Sequence, residues 1–88
     1  MRIERLVSMA NDIGAFFDAE PDKAEAALSV ASHLKRFWDP RMRRQIVAHY
    51  REGGAGLNPI VRAGVALLAD AAAAPAGSPQ TTVSSDRR

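Results

Sequence analysis

The residues of this chain that could do chemistry are two histidines, three carboxylates at a helix junction, two helix-borne serines, a glycine run and a run of arginines. A metal site on a helix needs a second ligand one turn from the first. Four residues from His33 stand Ser29 and Phe37, and four from His49 stand Gln45 and Gly53, so neither histidine has a ligating neighbour at that spacing. Asp18, Glu20 and Asp22 crowd a point where one helix ends and the next begins, and capping accounts for them better than acid–base work does. Ser8 and Ser29 assemble no constellation of nucleophile, base and orienting group, so nucleophilic catalysis has no support. Gly53-Gly54-Ala55-Gly56 lacks both the preceding strand and the following Lys-Ser or Lys-Thr of a phosphate loop, and reads as a turn. The absence of cysteine excludes disulfides, thiolate zinc sites and cysteine-held iron–sulfur clusters. No catalytic, cofactor-binding or metal-binding residue is therefore expected.

The arginines are a different matter, because charge is distributed unevenly. Residues 1–34 hold three cations against six carboxylates, a net −3. Residues 35–51 hold Lys35, Arg36, Arg41, Arg43, Arg44 and Arg51 against Asp39 alone, a net +5. Such a zone reads as a solvated face, a protein-docking surface or a nucleic-acid footprint. Against nucleic acid, the turn in the zone is Asp39-Pro40, and Gln45 is the only base-reading amide on the helix that follows. In favour of protein, the arginine fork pairs with carboxylates at two points and is enriched at interfaces.

The elements that carry these residues follow from proline punctuation and a 3.6-residue period. Ile3, Leu6, Val7, Ala10, Ile13, Gly14 and Phe17 mark one face of a helix over residues 3–19. Glu20-Pro21 breaks it, and Pro21 is expected to open a second helix running to about Trp38. The inward stripe of that helix is read as Ala24, Ala27, Leu28, Ala31, Leu34 and Trp38, its alanines letting the first helix approach closely. Asp39-Pro40 starts a third helix, with Met42, Ile46, Val47 and Tyr50 on one side, which Gly53-Gly54 ends. Gly53 to Leu57 reads as a flexible turn. Asn58-Pro59 opens a fourth helix whose Ile60, Val61, Gly64, Leu67, Leu68 and Ala71 share a face.

The resulting architecture is all-α, a small bundle of about four short helices. Residues 1–74 form one helical domain, and the Pro/Gly/Ser/Thr-rich stretch 75–88 is expected to be a disordered tail. Glu4 and Asp12 interrupt any signal-peptide core. The most apolar stretch, Ile60 to Ala74, holds Arg62 and Asp70 and is shorter than the ~20 residues of a membrane span, so no membrane contact and a cytoplasmic location are expected.

This bundle owns more apolar residues than one stripe per helix can use. Met9 and Phe16 lie seven apart on the first helix, beside its main stripe, and Val30 and Phe37 do so on the second. Phe16-Phe17 and Phe37-Trp38 are adjacent pairs, and helical neighbours about 100° apart cannot both face one core centre. A partner polypeptide is expected to cover the excess. When that partner is absent, the same side chains would favour self-association.

Three blocks of the chain resemble a known family. They are Met9-Ala10-Asn11-Asp12-Ile13-Gly14-Ala15-Phe16-Phe17, then His33-Leu34-Lys35-Arg36-Phe37-Trp38-Asp39-Pro40-Arg41-Met42-Arg43, then Gly53-Gly54-Ala55-Gly56-Leu57-Asn58-Pro59. Together they look like the delta subunit of soluble NAD-dependent formate dehydrogenase, over about residues 3–70. The resemblance implies a non-catalytic accessory subunit of a bacterial molybdenum- or tungsten-dependent enzyme. It also implies that the pterin-bound metal, the iron–sulfur clusters and the flavin reside in partner subunits, with the large catalytic subunit as the docking partner. Carried over by position, it implies docking through His33, Arg36, Phe37, Trp38, Asp39, Arg41 and Arg43, with Phe37 or Trp38 as the aromatic anchor. Met9, Phe16 and Leu57 are expected to extend that surface. The rival expectation is a helical nucleic-acid-binding module using the basic third helix.

Overall fold

Each helix begins where the chain provides a cap and ends where it withdraws one. The structure, a computed structural model, describes residues 2–73, in which four helices follow in order: α1 (Ile3–Phe17), α2 (Lys23–Phe37), α3 (Pro40–Arg51) and α4 (Pro59–Ala73). The expected tail, 75–88, lies outside the described residues. No described helix is long and apolar enough to cross a membrane.

The junctions show what selects each start. α1 stops at Phe17, two residues before the expected Ala19, because the chain tightens there: Glu20 N donates to Phe17 O at 3.1 Å, ahead of Pro21. Pro21 does not open α2. Asp22 is the N-cap instead, its carboxylate accepting from the backbone N–H of Ala24 and of Glu25 at 3.1 and 3.2 Å, so the proline lies one residue outside the helix. At α3 the expected device is found, with Asp39 accepting from Met42 N at 2.9 Å and Pro40 in the first turn. α3 ends in a Schellman motif in which Gly53 N donates to Tyr50 O and Gly54 N to His49 O. Both glycines have positive φ, +117° and +64°, where a Cβ would be strained.

The core is drawn from all four helices: Leu6 and Ala10 of α1, Val30 and Leu34 of α2, Ile46 and Val47 of α3, Val61, Val65 and Leu68 of α4. Trp38 and Leu57, both outside the helices, complete it. Among the described residues no polar or charged residue is buried, so packing and helical hydrogen bonds hold the fold.

α4 touches each of the other three helices and packs most extensively against α2. Gly64 makes that approach possible. A Cβ built there would lie 2.7 Å from Val30 Cγ1, closer than real Cβ atoms come, and a tight 3.2 Å from the Ala27 carbonyl oxygen. Gly14 plays the same part for α1, where a Cβ would run into the Val61 side chain. Ala27 of α2 therefore admits α4, which corrects the expectation that it admits α1.

This contact also rotates α2 relative to its expected stripe. Val30 is fully buried, while Ala24 and Leu28, read from the sequence as inward, face out with Leu28 53 % exposed. On α4 a smaller rotation leaves Leu67 and Ala71 exposed and buries Val65 and Ala69. The reason is common to both: the Gly64 notch admits Val30, and once those two meet, the neighbours on each helix have no freedom left.

The segment 53–58 corrects the flexible-turn expectation. The Asn11 side chain bridges it, Nδ2 donating to Gly56 O at 2.9 Å while Oδ1 accepts from Asn58 N at 3.0 Å. The Arg62 guanidinium donates to Gly53 O and Gly54 O, and His49 Nε2 lies 2.7 Å from Ala55 O. Four consecutive carbonyls, Gly53 to Gly56, and the amide entering α4 are thus held by side chains from α1, α3 and α4. Asn11→Ala is expected to lower unfolding free energy by about 1–2 kcal/mol, two exposed hydrogen bonds at about 0.5–1.5 kcal/mol each, less the helix-propensity gain of alanine. Chemical denaturation checks it; an unchanged midpoint would mean that water replaces both bonds without cost.

Candidate docking surface

Where α1 ends and α2 runs past it, aromatic rings form a continuous exposed strip. Phe16 and Phe17 meet edge to face with centroids 5.0 Å apart. Phe17 meets His33 at 6.3 Å, and His33 meets Phe37 at 4.7 Å. The Arg36 guanidinium sits 5.7 Å from the Phe37 centroid, within cation–π range. Phe17 is half-buried against the core and anchors the strip, whereas Phe16 is 79 % and Phe37 66 % exposed.

The local cause is helical geometry. His33 and Phe37 are one turn apart on α2 and so stack along one edge. Phe16 and Phe37 are displaced by about 100° from Phe17 and Trp38, which take the inward positions. Beside the strip lies an open groove of about 380 Å³ floored by Ser29 and Ser32 and bordered by Leu28, Glu25, Arg36 and Phe37. A second depression of about 310 Å³ lies between Phe16, Ile13 and His33, with Asp12 at its rim. Two exposed phenylalanines, an exposed leucine and a single cation over a ring make a surface suited to bury apolar area against a polypeptide.

The ten residues singled out in the sequence separate into four fates. Phe16, His33, Arg36 and Phe37 come together in the strip. Trp38 and Leu57 are buried, at 6 % and 7 % exposure, and Met9 packs half-buried on the core. Of the two aromatic anchors considered, only Phe37 is thus at the surface. Asp39 caps α3, and Arg43 donates from Nη1 to the carbonyls of Lys35 and Trp38 at 2.7 and 3.1 Å. Arg43 therefore completes the C-terminus of α2, where a cation is favoured by the free carbonyls. Arg41 is exposed on α3, outside the strip.

The basic run is in this way partly structural. Besides Arg43, Arg51 donates to Ala69 O of α4 at 3.3 Å. Lys35, Arg36, Arg41 and Arg44 remain exposed. The residues that sequence reasoning missed are Asn11, His49 and Arg62, which shape the glycine segment, and Leu28, which borders the groove. Asn11 left one readable signal, since asparagine inside a helix is unfavourable unless its amide is used. Among the described residues no three metal-ligating side chains converge.

One family model matches the chain: that of the NADH-dependent formate dehydrogenase delta subunit FdsD, over residues 5–65. Those residues include nearly all of α1, the whole of α2 and α3, and the first half of α4. No curated protein and no solved structure gives a significant match.

Proposed function

We propose, from the premise that this chain belongs to the FdsD family of NADH-dependent formate dehydrogenase delta subunits, that it acts by docking and performs no chemistry itself. The docking partner is the large catalytic subunit, and the contact surface is the strip from Phe16 through His33 to Phe37. By binding there the delta subunit supports assembly, cofactor loading or stability of the active complex. The pterin-bound metal, the iron–sulfur clusters and the flavin belong, in this reading, to the partner subunits.

The observation that carries the proposal is the exposure of Phe16 and Phe37 at the two ends of one ring strip, with Arg36 over the Phe37 ring, in a domain whose other large rings face inward. Burying a phenylalanine side chain is worth about 1.5–3 kcal/mol. Two at one interface then account for at least a hundredfold in affinity, by the rule that about 1.4 kcal/mol is tenfold. The charged partner of Arg36 would be a carboxylate at the rim, which sets orientation more than strength.

The test is co-expression of the tagged chain with the formate dehydrogenase subunits. Phe16→Asp combined with Phe37→Asp is expected to reduce recovery of the large subunit at least about tenfold, with far-ultraviolet circular dichroism unchanged because neither ring belongs to the core. Recovery at wild-type yield from a folded double variant would place the docking surface elsewhere.

A further inference from the structure

The outer face of α2 is complementary to itself. Glu25, Ser29, Ser32 and Arg36 run along the side of α2 turned away from the core, with Leu28 on one flank and Phe37 on the other. Glu25 and Arg36 carry opposite charges at the two ends of that face. They are separated by roughly 16 Å at 1.5 Å per residue, so they cannot meet within one molecule. Neither forms an ion pair among the described residues.

A two-fold axis through the midpoint between Ser29 and Ser32 brings two such faces together antiparallel. Glu25 then lies opposite the second copy's Arg36, and Arg36 opposite its Glu25. Ser29 faces Ser32 at the centre, and because the two-fold axis keeps each flank on its own side, the two copies of Leu28 share one flank of the seam and the two copies of Phe37 the other. The small serines at the centre let the two helices approach, and the end charges form two Glu25–Arg36 pairs, one at each end. A parallel arrangement would set Glu25 against Glu25 and Arg36 against Arg36. The sequence of this one face thus specifies both the partner and its direction.

We propose that the free subunit is an isologous homodimer through the outer face of α2. A closed two-fold contact of this kind uses the same patch on both copies. It covers Leu28 and Phe37, two of the largest exposed apolar residues. The proposal stands independently of the docking reading above, although the two surfaces share Arg36 and Phe37 and would therefore compete.

Sedimentation equilibrium of the full 88-residue chain, over about 1 µM to 1 mM, tests it without any partner. The expected result is a mass rising from one chain to two. Glu25→Arg alone, and Arg36→Glu alone, each replace two attractive pairs by two repulsive ones and are expected to weaken the dimer at least about tenfold. The combined variant Glu25→Arg/Arg36→Glu restores both pairs with their polarity reversed and is expected to recover the wild-type constant within about threefold. Circular dichroism on each variant verifies folding of these exposed sites. A single chain throughout the range overturns the proposal. So does a dimer indifferent to the single swaps, or a double swap no stronger than either. None of those outcomes bears on recovery of the large subunit by the Phe16/Phe37 variant, so failure of one reading is distinguishable from failure of the other.

Discussion

Trp38→Ala is expected to unfold most of this subunit at ambient temperature, while Phe37→Ala, one residue earlier, is expected to leave its stability within about 0.5 kcal/mol. The contrast follows from where each ring stands. Trp38 is the α2 C-cap residue, turned into the core beside Leu34, Ile46 and the rest of the buried cluster, whereas Phe37 is 66 % exposed. Truncating a buried tryptophan costs about 3–5 kcal/mol, including the cavity left behind. A chain of this size rarely has more than about 3–5 kcal/mol in total. The loss therefore consumes nearly all of it, and the midpoint temperature falls by well over about 10 °C. Urea titration followed by circular dichroism measures both variants on one scale. Equal destabilisation by the two would mean that Phe37 packs inward in solution, which would also remove the basis for a docking surface at that position.

The second large effect concerns an atom that is not there. In an exposed helix, Gly→Ala adds up to about 1 kcal/mol of stability through helix propensity. At Gly64 the sign reverses. The added methyl would sit 2.7 Å and 2.9 Å from two atoms of Val30, a β-branched side chain with little rotamer freedom, and 3.2 Å from a backbone oxygen that cannot yield without moving α2. Overpacking of this kind costs about 1–3 kcal/mol, so Gly64→Ala is expected to lose about 1 kcal/mol net. Gly64→Val, with two further methyls in the same gap, is expected to lose more than about 3 kcal/mol. Combining Gly64→Ala with Val30→Ala tests the cause: the methyl removed makes room for the methyl added, and the pair should be less destabilised than the sum of its parts. Strict additivity would locate the strain elsewhere.

How far the molecule can be read from its sequence differs by scale. The helix count and the α3 start were legible because each depends on neighbours in the chain: Asp39 caps Met42 three residues on, and Gly53-Gly54 terminate the helix they follow. Pro21 misled because proline before a capping aspartate is as compatible with a helix start as proline at its first residue, and the Asp22 carboxylate decides between them. The face of α2 was not legible. Apolar residues occur on it at Ala24, Ala26, Ala27, Leu28, Val30, Ala31 and Leu34, enough to draw two overlapping stripes. Which one is buried depends on Gly64, more than thirty positions away. The same distance problem hid the part played by Asn11, whose partners lie 45 and 47 residues along the chain.

The surplus of apolar residues proved partly real and differently placed. Val30 and Trp38 are absorbed by the core and Met9 is half-absorbed, whereas Phe16 and Phe37 remain outside and are joined there by Leu28. Four of the expected contact residues nevertheless converge, because Phe16, His33, Arg36 and Phe37 sit where two helices run side by side. Arg43 and Asp39 could not be told from docking residues by type alone; both are engaged by backbone groups that the sequence does not display.

The placement of α4 has a bearing on how the subunit is made. The helix that contacts all three others, and reaches α1 through Gly14 and α2 through Gly64, is also the last of the four to leave the ribosome. Until it arrives, α1 and α2 have no wedge to fix their spacing and Val30 and Leu6 have no lid. The faces of α1 and α2 that pack against α4 therefore stay uncovered until the last helix is made, and completion of the core waits on it.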